Sequence, residues 1–250
     1  MKHFIIPDTQ VKPGVETIHF DWCAKEIIAQ KPDLIIHLGD HWDFPSLNGH
    51  ADAEEIEGQR LIEDISAGYV ALKGLTDKIR AAKKKDRRWK PKLHFLTGNH
   101  EHRLMRFIGS HPILKGSITP EALGVEQLGW IKHPFLEIFE ADGVAYSHYF
   151  INTLSGKPVG GSIPSRLGKI GRSFVQGHQQ GFLYGCQQYP GNLMRHGIVA
   201  GSFYLHDEKY RGLQGNDEWR GVVVLNEVRE GNFDISPISM ETLRKKYSKK

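Results

Sequence analysis

Three apolar runs in the first hundred residues finish in the same way, and that repetition constrains the fold more than any other feature. HFIIPD (3–8) ends on Asp8, with Thr9 and Gln10 behind it. DLIIHLGD (33–40) ends on Gly39-Asp40, and KLHFLTGN (92–99) ends on Gly98-Asn99, followed by His100, Glu101 and His102. Between them lie segments with the spacing of helix faces. VETIHFDWCAKEIIAQ (15–30) presents Ile18, Trp22, Cys23, Ile27 and Ile28. Residues 53–85 present Ile62, Ile65, Tyr69, Leu72 and Ile79, with Gly68 and Gly74 weakening the pattern. Strand, helix, strand, helix, strand predicts parallel pairing through right-handed crossovers. Parallel neighbours deliver Asp8, Asp40 and Asn99 to one edge, beyond the carboxyl ends of the strands, where open α/β sheets bind ligands.

Past residue 105 the pattern changes. A turn-rich stretch (109–130) holds one short helix near 120–128, and short strands follow at 135–140, 143–149, 173–178, 196–202 and 221–228. REGN (229–232) reads as a hairpin turn before FDISPI. Neither an internal repeat nor a linker divides the chain. The reading is one domain over 1–240 and a mobile basic tail over 241–250, with two sheets packed face to face and helices outside.

Composition narrows the function classes. No apolar run approaches the ~20 residues that span a bilayer, so no membrane partner is expected. Two cysteines, Cys23 and Cys186, make no disulfide framework and point to the cytoplasm. The net charge is only +4, but the positive residues clump at 83–92, 165–172 and 243–250. Such clumps are either solvated surface or a face for a polyanion, nucleic acid included. Fourteen histidines direct attention to metal binding. His148 and His178 fall at the ends of apolar runs, as the earlier polar residues do. Carboxylates, an amide oxygen and imidazoles together suit Mn²⁺, Zn²⁺ or Fe. Two carboxylates set side by side repel unless a cation lies between them.

The series Asp8-x-Gln10, Gly39-Asp40, Gly98-Asn99-His100-Glu101, His148 and Gly177-His178-x-Gln180 resembles the calcineurin-like metallophosphoesterases, whose pattern runs D-x-H, GD, GNH(E/D), H, GHxH. The order matches across residues 8–180. The resemblance implies an α/β fold, a four-layer αββα sandwich of two mixed β-sheets flanked by helices. It implies two divalent ions, with Asp40 bridging them. Asn99, His148 and His178 complete one position; Asp8, Gln10 and Gln180 surround the other. His100 sits outside the ions, contacts the phosphate and protonates the leaving oxygen. The implied activity is hydrolysis of a phosphate ester by water that the metals activate.

Gln10 and Gln180 stand where the family usually has histidine, and both fall on the same metal position. Amide oxygens are harder donors than imidazole, so that position is expected to favour Mn²⁺ or Mg²⁺ over Zn²⁺ and to bind weakly. The manganese-dependent ADP-ribose and CDP-alcohol diphosphatases of the superfamily also begin Asp-x-Gln. Supporting residues are expected nearby: Glu101, His102 and His41 orienting ligands, with Asp43 and His50 as further neighbours. His3, His19 and His94 read as structural, and His37 as packed beside the sheet. Arg103, beside His100 and Asn99, and the basic trio Arg166, Lys169 and Arg172 are the candidates for holding phosphate oxygens.

The leading expectation is therefore a phosphodiesterase acting on a nucleic acid or nucleotide. A phosphomonoesterase or protein phosphatase of the same fold is the first alternative. Thr97 stands where protein phosphatases carry an arginine, which disfavours the latter. A metal-binding scaffold subunit without turnover is the second alternative, and nucleic-acid binding without chemistry the third. The sequence leaves the oligomeric state open.

Overall fold

A computed structural model describes residues 1–49, 52–114, 116–191 and 193–248; His50 lies outside them. The chain begins with β1 (His3–Ile6), α1 (His19–Gln30), β2 (Leu34–His37), a single turn α2 (Ala53–Ile56) and α3 (Leu61–Lys85). It continues through β3 (Lys92–Leu96), α4 (Asn99–Ser110), β4 (Ile131–His133), β5 (Phe139–Ala141) and β6 (Val144–Ser147). Then come α5 (Ile163–Ile170), β7 (Phe174–Gln176), β8 (Phe182–Tyr189) and β9 (Leu193–Ala200). The chain closes with α6 (Gly212–Asn216), β10 (Gly221–Arg229), β11 (Asn232–Ser239) and α7 (Met240–Tyr247).

Among the described residues these strands form two mixed sheets, ordered β11-β10-β1-β2-β3-β4 and β5-β6-β7-β9-β8. In the first, β1 to β4 run parallel, and β10 and β11 add an antiparallel hairpin. In the second, β6, β7 and β9 are parallel, flanked by antiparallel β5 and β8. The sheets share one apolar core, in which Ile5, Ile36 and Val223 meet Tyr146, Val175 and Ile198. Strands buried on both faces need continuous apolar runs, and HFII and LIIH are such runs. The outer face of the first sheet is covered by Phe20, Ile27, Leu72, Ile79 and Leu243, from α1, α3 and α7. Ile163 and Leu167 of α5 cover the second against Phe174 and Val199. Two mixed sheets flanked by helices are the expected α/β arrangement and are compatible with a sandwich.

Several expectations change. Residues 61–85 form one unbroken helix despite Gly68 and Gly74. A side chain at Gly68 would overlap the indole of Trp42, whose Nε1 donates to the Ile65 carbonyl. That glycine serves packing rather than a helix break. Residues 241–247 are not a loose basic tail but part of α7, capped by Ser239, which accepts from the Thr242 amide. Its Leu243 is fully buried, and Lys246 and Tyr247 both donate to Glu26 at 2.7 Å. The glycine-rich segment before His178 contains α5, with a proline in its first turn and Gly171 in the left-handed conformation after its last.

Candidate metal centre

Parallel register brings the polar residues together. Ile6 pairs with His37, and His37 with Phe95, so the turns after β1, β2 and β3 leave the sheet side by side. Ser147 pairs with Gln176, which does the same for His148 and His178 in the second sheet. A bridge between Asp8 and Ser202 links the turn after β1 to the turn after β9. The Nδ1–H of His148 donates across the seam to the Leu38 carbonyl at 2.8 Å.

Asp40, His148 and His178 offer ligand atoms that all lie within 4.8 Å of one another. The His148 bond to Leu38 turns Nε2 toward the cluster, 3.3 Å from Asp40 Oδ2 and 2.8 Å from Asn99 Oδ1. His178 Nδ1 lies 2.7 Å from the same Asn99 oxygen. One carboxylate, one amide oxygen and two imidazoles thus point at a single buried spot, a donor set suited to a divalent transition ion. The second proposed position has a different signature. Asp8 Oδ2 and Gln10 Oε1 are buried without hydrogen-bond partners, and Gln10 Nε2 lies 3.5 Å from Asp40 Oδ2. Orphaned buried oxygens beside a carboxylate are costly unless a cation meets them, so Asp8, Gln10 and Asp40 also fit an ion.

Charge follows the same geometry. Burial raises the Asp8 carboxyl, with Asp40 adding to the rise against the opposing pull of His148. Burial acts on Asp40 in the same sense, but His100 and His148 outweigh it and hold its carboxyl below the ordinary range. Burial opposes protonation of His148, yet Asp40 and Asp8 hold its pKa up at about 9. Burial and the neighbouring His148 push His178 down to about 4.

The backbone is shaped for these contacts. Asp40, Gln10, His178 and Gln180 all have left-handed φ, at 49°, 43°, 69° and 59°. Such conformations cost energy in non-glycine residues and persist where the surroundings enforce them. A side chain at Gly98 would lie 2.2 Å from Asp40 Oδ1, and one at Gly177 2.4 Å from Asp8 Oδ1. Both glycines are therefore seats for carboxylates.

Glu101 is fully engaged with backbone. It accepts from the amides of Asp40, His41, Trp42 and Gly98 at 2.6–3.0 Å, fixing the Asp40 turn to the start of α4. His41 donates Nε2–H to the Gly68 carbonyl (2.9 Å) and accepts at Nδ1 from Thr9 Oγ1 (2.8 Å), so it supports the Asp8 turn from behind. His100 donates its amide to Asp40 Oδ1 at 2.9 Å and Nδ1–H to the Asp43 carbonyl at 2.8 Å. Its Nε2 then faces Asp40 Oδ2 at 3.7 Å and Arg103 Nη2 at 3.2 Å. Burial lowers the His100 pKa, but Asp40 and Asp43 more than offset it, leaving a net rise.

Other expected site residues lie elsewhere. His102 stacks on Phe135, with ring centroids 4.5 Å apart. Arg166 is 2% exposed, and its guanidinium is spent on the carbonyls of Gly161 and Val159 and on Gln179 Oε1. It braces its own loop instead of meeting a phosphate. Lys169 donates to the Gly160 carbonyl, and Arg172 pairs with Glu140 at the surface. Gln180 departs most from expectation. Its Oε1 accepts from Tyr204 Oη at 2.8 Å and from Arg211 Nη1 at 2.9 Å, while its Nε2 donates to Tyr210. An oxygen already capped by a guanidinium is not offered to a cation.

The structure also adds residues. Asp43, which the sequence placed only as a neighbour, accepts from Lys12 at 3.0 Å and lies 3.3 Å from His100 Nδ1. Lys12 reaches Glu208 as well, at 2.8 Å. Asp43 carried a visible signal, three positions after Asp40; Lys12, Glu208 and Arg211 carried none, since only the fold brings them here. No family model matches this chain, and no curated protein matches it.

Proposed function

We propose that the chain is a metal-dependent phosphoesterase with the calcineurin-like metallophosphoesterase fold, cleaving phosphodiesters of nucleotides or nucleic acid. The observation that carries this reading is the convergence of Asp40, His148 and His178 on one buried spot, with Asn99 Oδ1 among them. Asn99, His148, His178 and Asp40 would hold one divalent ion; Asp40, Asp8 and Gln10 would hold a second, where harder oxygens would favour Mn²⁺ or Mg²⁺. Ions bound there supply charge to stabilise phosphoryl oxygens and lower the pKa of water.

The chain's own groups do the rest. The Asp43 carbonyl fixes Nδ1–H of His100 and aims Nε2 at the cluster, where it hands a proton to the leaving oxygen. Arg103 donates to the same carbonyl at 3.2 Å and borders His100 Nε2, which sets its guanidinium to grip a phosphoryl oxygen. A diester is favoured over a monoester because two cavities are lined by chain neighbours of the ligands, which leaves room for a second organic arm. One of about 500 Å³ lies beyond Thr97 and Glu101, and one of about 520 Å³ runs beside Gln179 and Gly181.

The capped oxygen of Gln180 favours a second reading, a subunit that binds one ion and does not turn over. One assay separates the two. Stripped protein is supplied with Mn²⁺, Mg²⁺ or Zn²⁺ and offered bis-p-nitrophenyl phosphate and p-nitrophenyl phosphate. Metal-dependent release from the diester, lost in Asp40→Asn, is expected; His100→Ala keeps metal binding and loses roughly 10²-fold or more in turnover. A wild-type rate in His100→Ala removes its role, and silence with every metal leaves the binding subunit.

A further inference from the structure

An unbroken line of rings leads away from the proposed metal ligands. Tyr149 lies 4.6 Å from His178, Phe135 lies 5.7 Å from Tyr149 edge-on, and His102 stacks on Phe135 at 4.5 Å. All three are only part-buried, so each keeps ring surface open to a ligand. The line ends in the cavity of about 500 Å³, whose wall includes Phe135, His102, Leu104 and Met105. That volume is ordinary for a small-molecule site, which is mostly apolar with a few polar groups at the edge. Its lining includes Lys132, a donor, and Glu126, an acceptor.

We propose that this cavity is a nucleobase site: the ester's organic arm is a nucleoside whose base lies against Phe135 in the cavity, with Tyr149 between it and the phosphate that faces Asp40. A flat aromatic arm gains from stacking on a part-exposed ring such as Phe135, whereas an alkyl or sugar arm alone does not. These polar lining groups suit a base, whose rim carries both acceptors and N–H donors. The inference rests on the phosphoesterase reading for the phosphate end and on the cavity for the other.

The test compares two diesters of p-nitrophenol, thymidine 5′-(p-nitrophenyl phosphate) and methyl p-nitrophenyl phosphate. Wild type should prefer the thymidine ester by roughly 10-fold or more in kcat/KM, the scale of one base–aromatic stack. Phe135→Ala should erase most of that preference. Met105→Trp, which fills the cavity from a 43% exposed position, should do the same without removing a core side chain. Equal kcat/KM for both esters in wild type, or a preference unmoved by both variants, overturns the proposal. If neither ester is cleaved with any metal, the phosphoesterase reading fails and the cavity is judged by binding alone. Thymidine 5′-monophosphate should then bind the metal-loaded protein roughly 10-fold tighter than methyl phosphate, and Met105→Trp should abolish the difference. Equal affinity sinks the base site.

Discussion

Asp8 and Asp40 are both buried carboxylates at strand ends, yet their surroundings assign them different work. Asp40 is met by the His100 amide, by His148 and by the backbone turn that Glu101 organises. Asp8 has one oxygen on the His178 amide and one with no partner. Two classes of metal binding should therefore appear in a Mn²⁺ titration followed by calorimetry. Asp8→Asn should remove only the weaker class, while Asp40→Asn removes both. Loss of the tight class in Asp8→Asn would contradict the division of ligands. Most of this was legible: Asp8, Asp40, Asn99, His100, His148 and His178 stand in sequence at the ends of apolar runs, and strand polarity alone carries them to one edge. What the sequence hid is how side chains are spent. Arg166 and Gln180 look available in a string of letters, and each turns out to be consumed by neighbours that are distant in the chain or that belong to its own loop.

Elements tell a similar story about glycine and charge. Gly68 and Gly74 are six residues apart in α3 and weaken the helical pattern equally, but their surroundings differ. A Cβ on Gly68 would meet Trp42 Nε1 at 2.0 Å, whereas one on Gly74 meets nothing within 4 Å. The same substitution should have opposite signs. Gly74→Ala should stabilise by about 0.5–1 kcal/mol, and Gly68→Ala should destabilise by about 1–3 kcal/mol. Urea midpoints measured at matched slope check both; a stable Gly68→Ala would mean that Trp42 can move aside. The α5 and α7 helices escaped the sequence reading because each is only 8 residues long and buries two or three side chains, too few to set a clear helical period. Their signals were present nonetheless, as Pro164 and Gly171 bracket α5 and Ser239 caps α7. Strand β8, FLYGCQQY, is an edge strand mostly exposed along its length, so its apolar residues mark no buried face.

For the whole molecule, buried imidazoles set an acid limit. His19 packs between Phe20 and Phe203, and burial, helped by His206 and His41, pushes its pKa down to about 3. His94, stacked on Phe139, is pushed down to about 4 by burial and by His133. Both are neutral in the fold and take protons readily only when it opens, where their pKa returns to about 6.5. Their contribution is complete above that value and is lost as pH falls from there toward 4 and 3. Denaturant midpoints should drop between pH 7 and pH 4.5, and His19→Leu should flatten the drop. An unchanged profile in that variant would move the acid limit to other groups. Among the described residues no helix is long and apolar enough to cross a membrane.

The seam between the two sheets has one more consequence. Asp40 and Asn99 are carried by one sheet, His148 and His178 by the other, and the Leu38–His148 bond is a short stitch between them. Any cation gripped by all four works as a rivet through two plates, and chelation draws the rivet. Amide deuterium uptake at Gly177 and His178 should quicken on adding EDTA while the strand interiors stay slow. Uptake that ignores the chelator would mean the plates are clamped by their apolar filling alone.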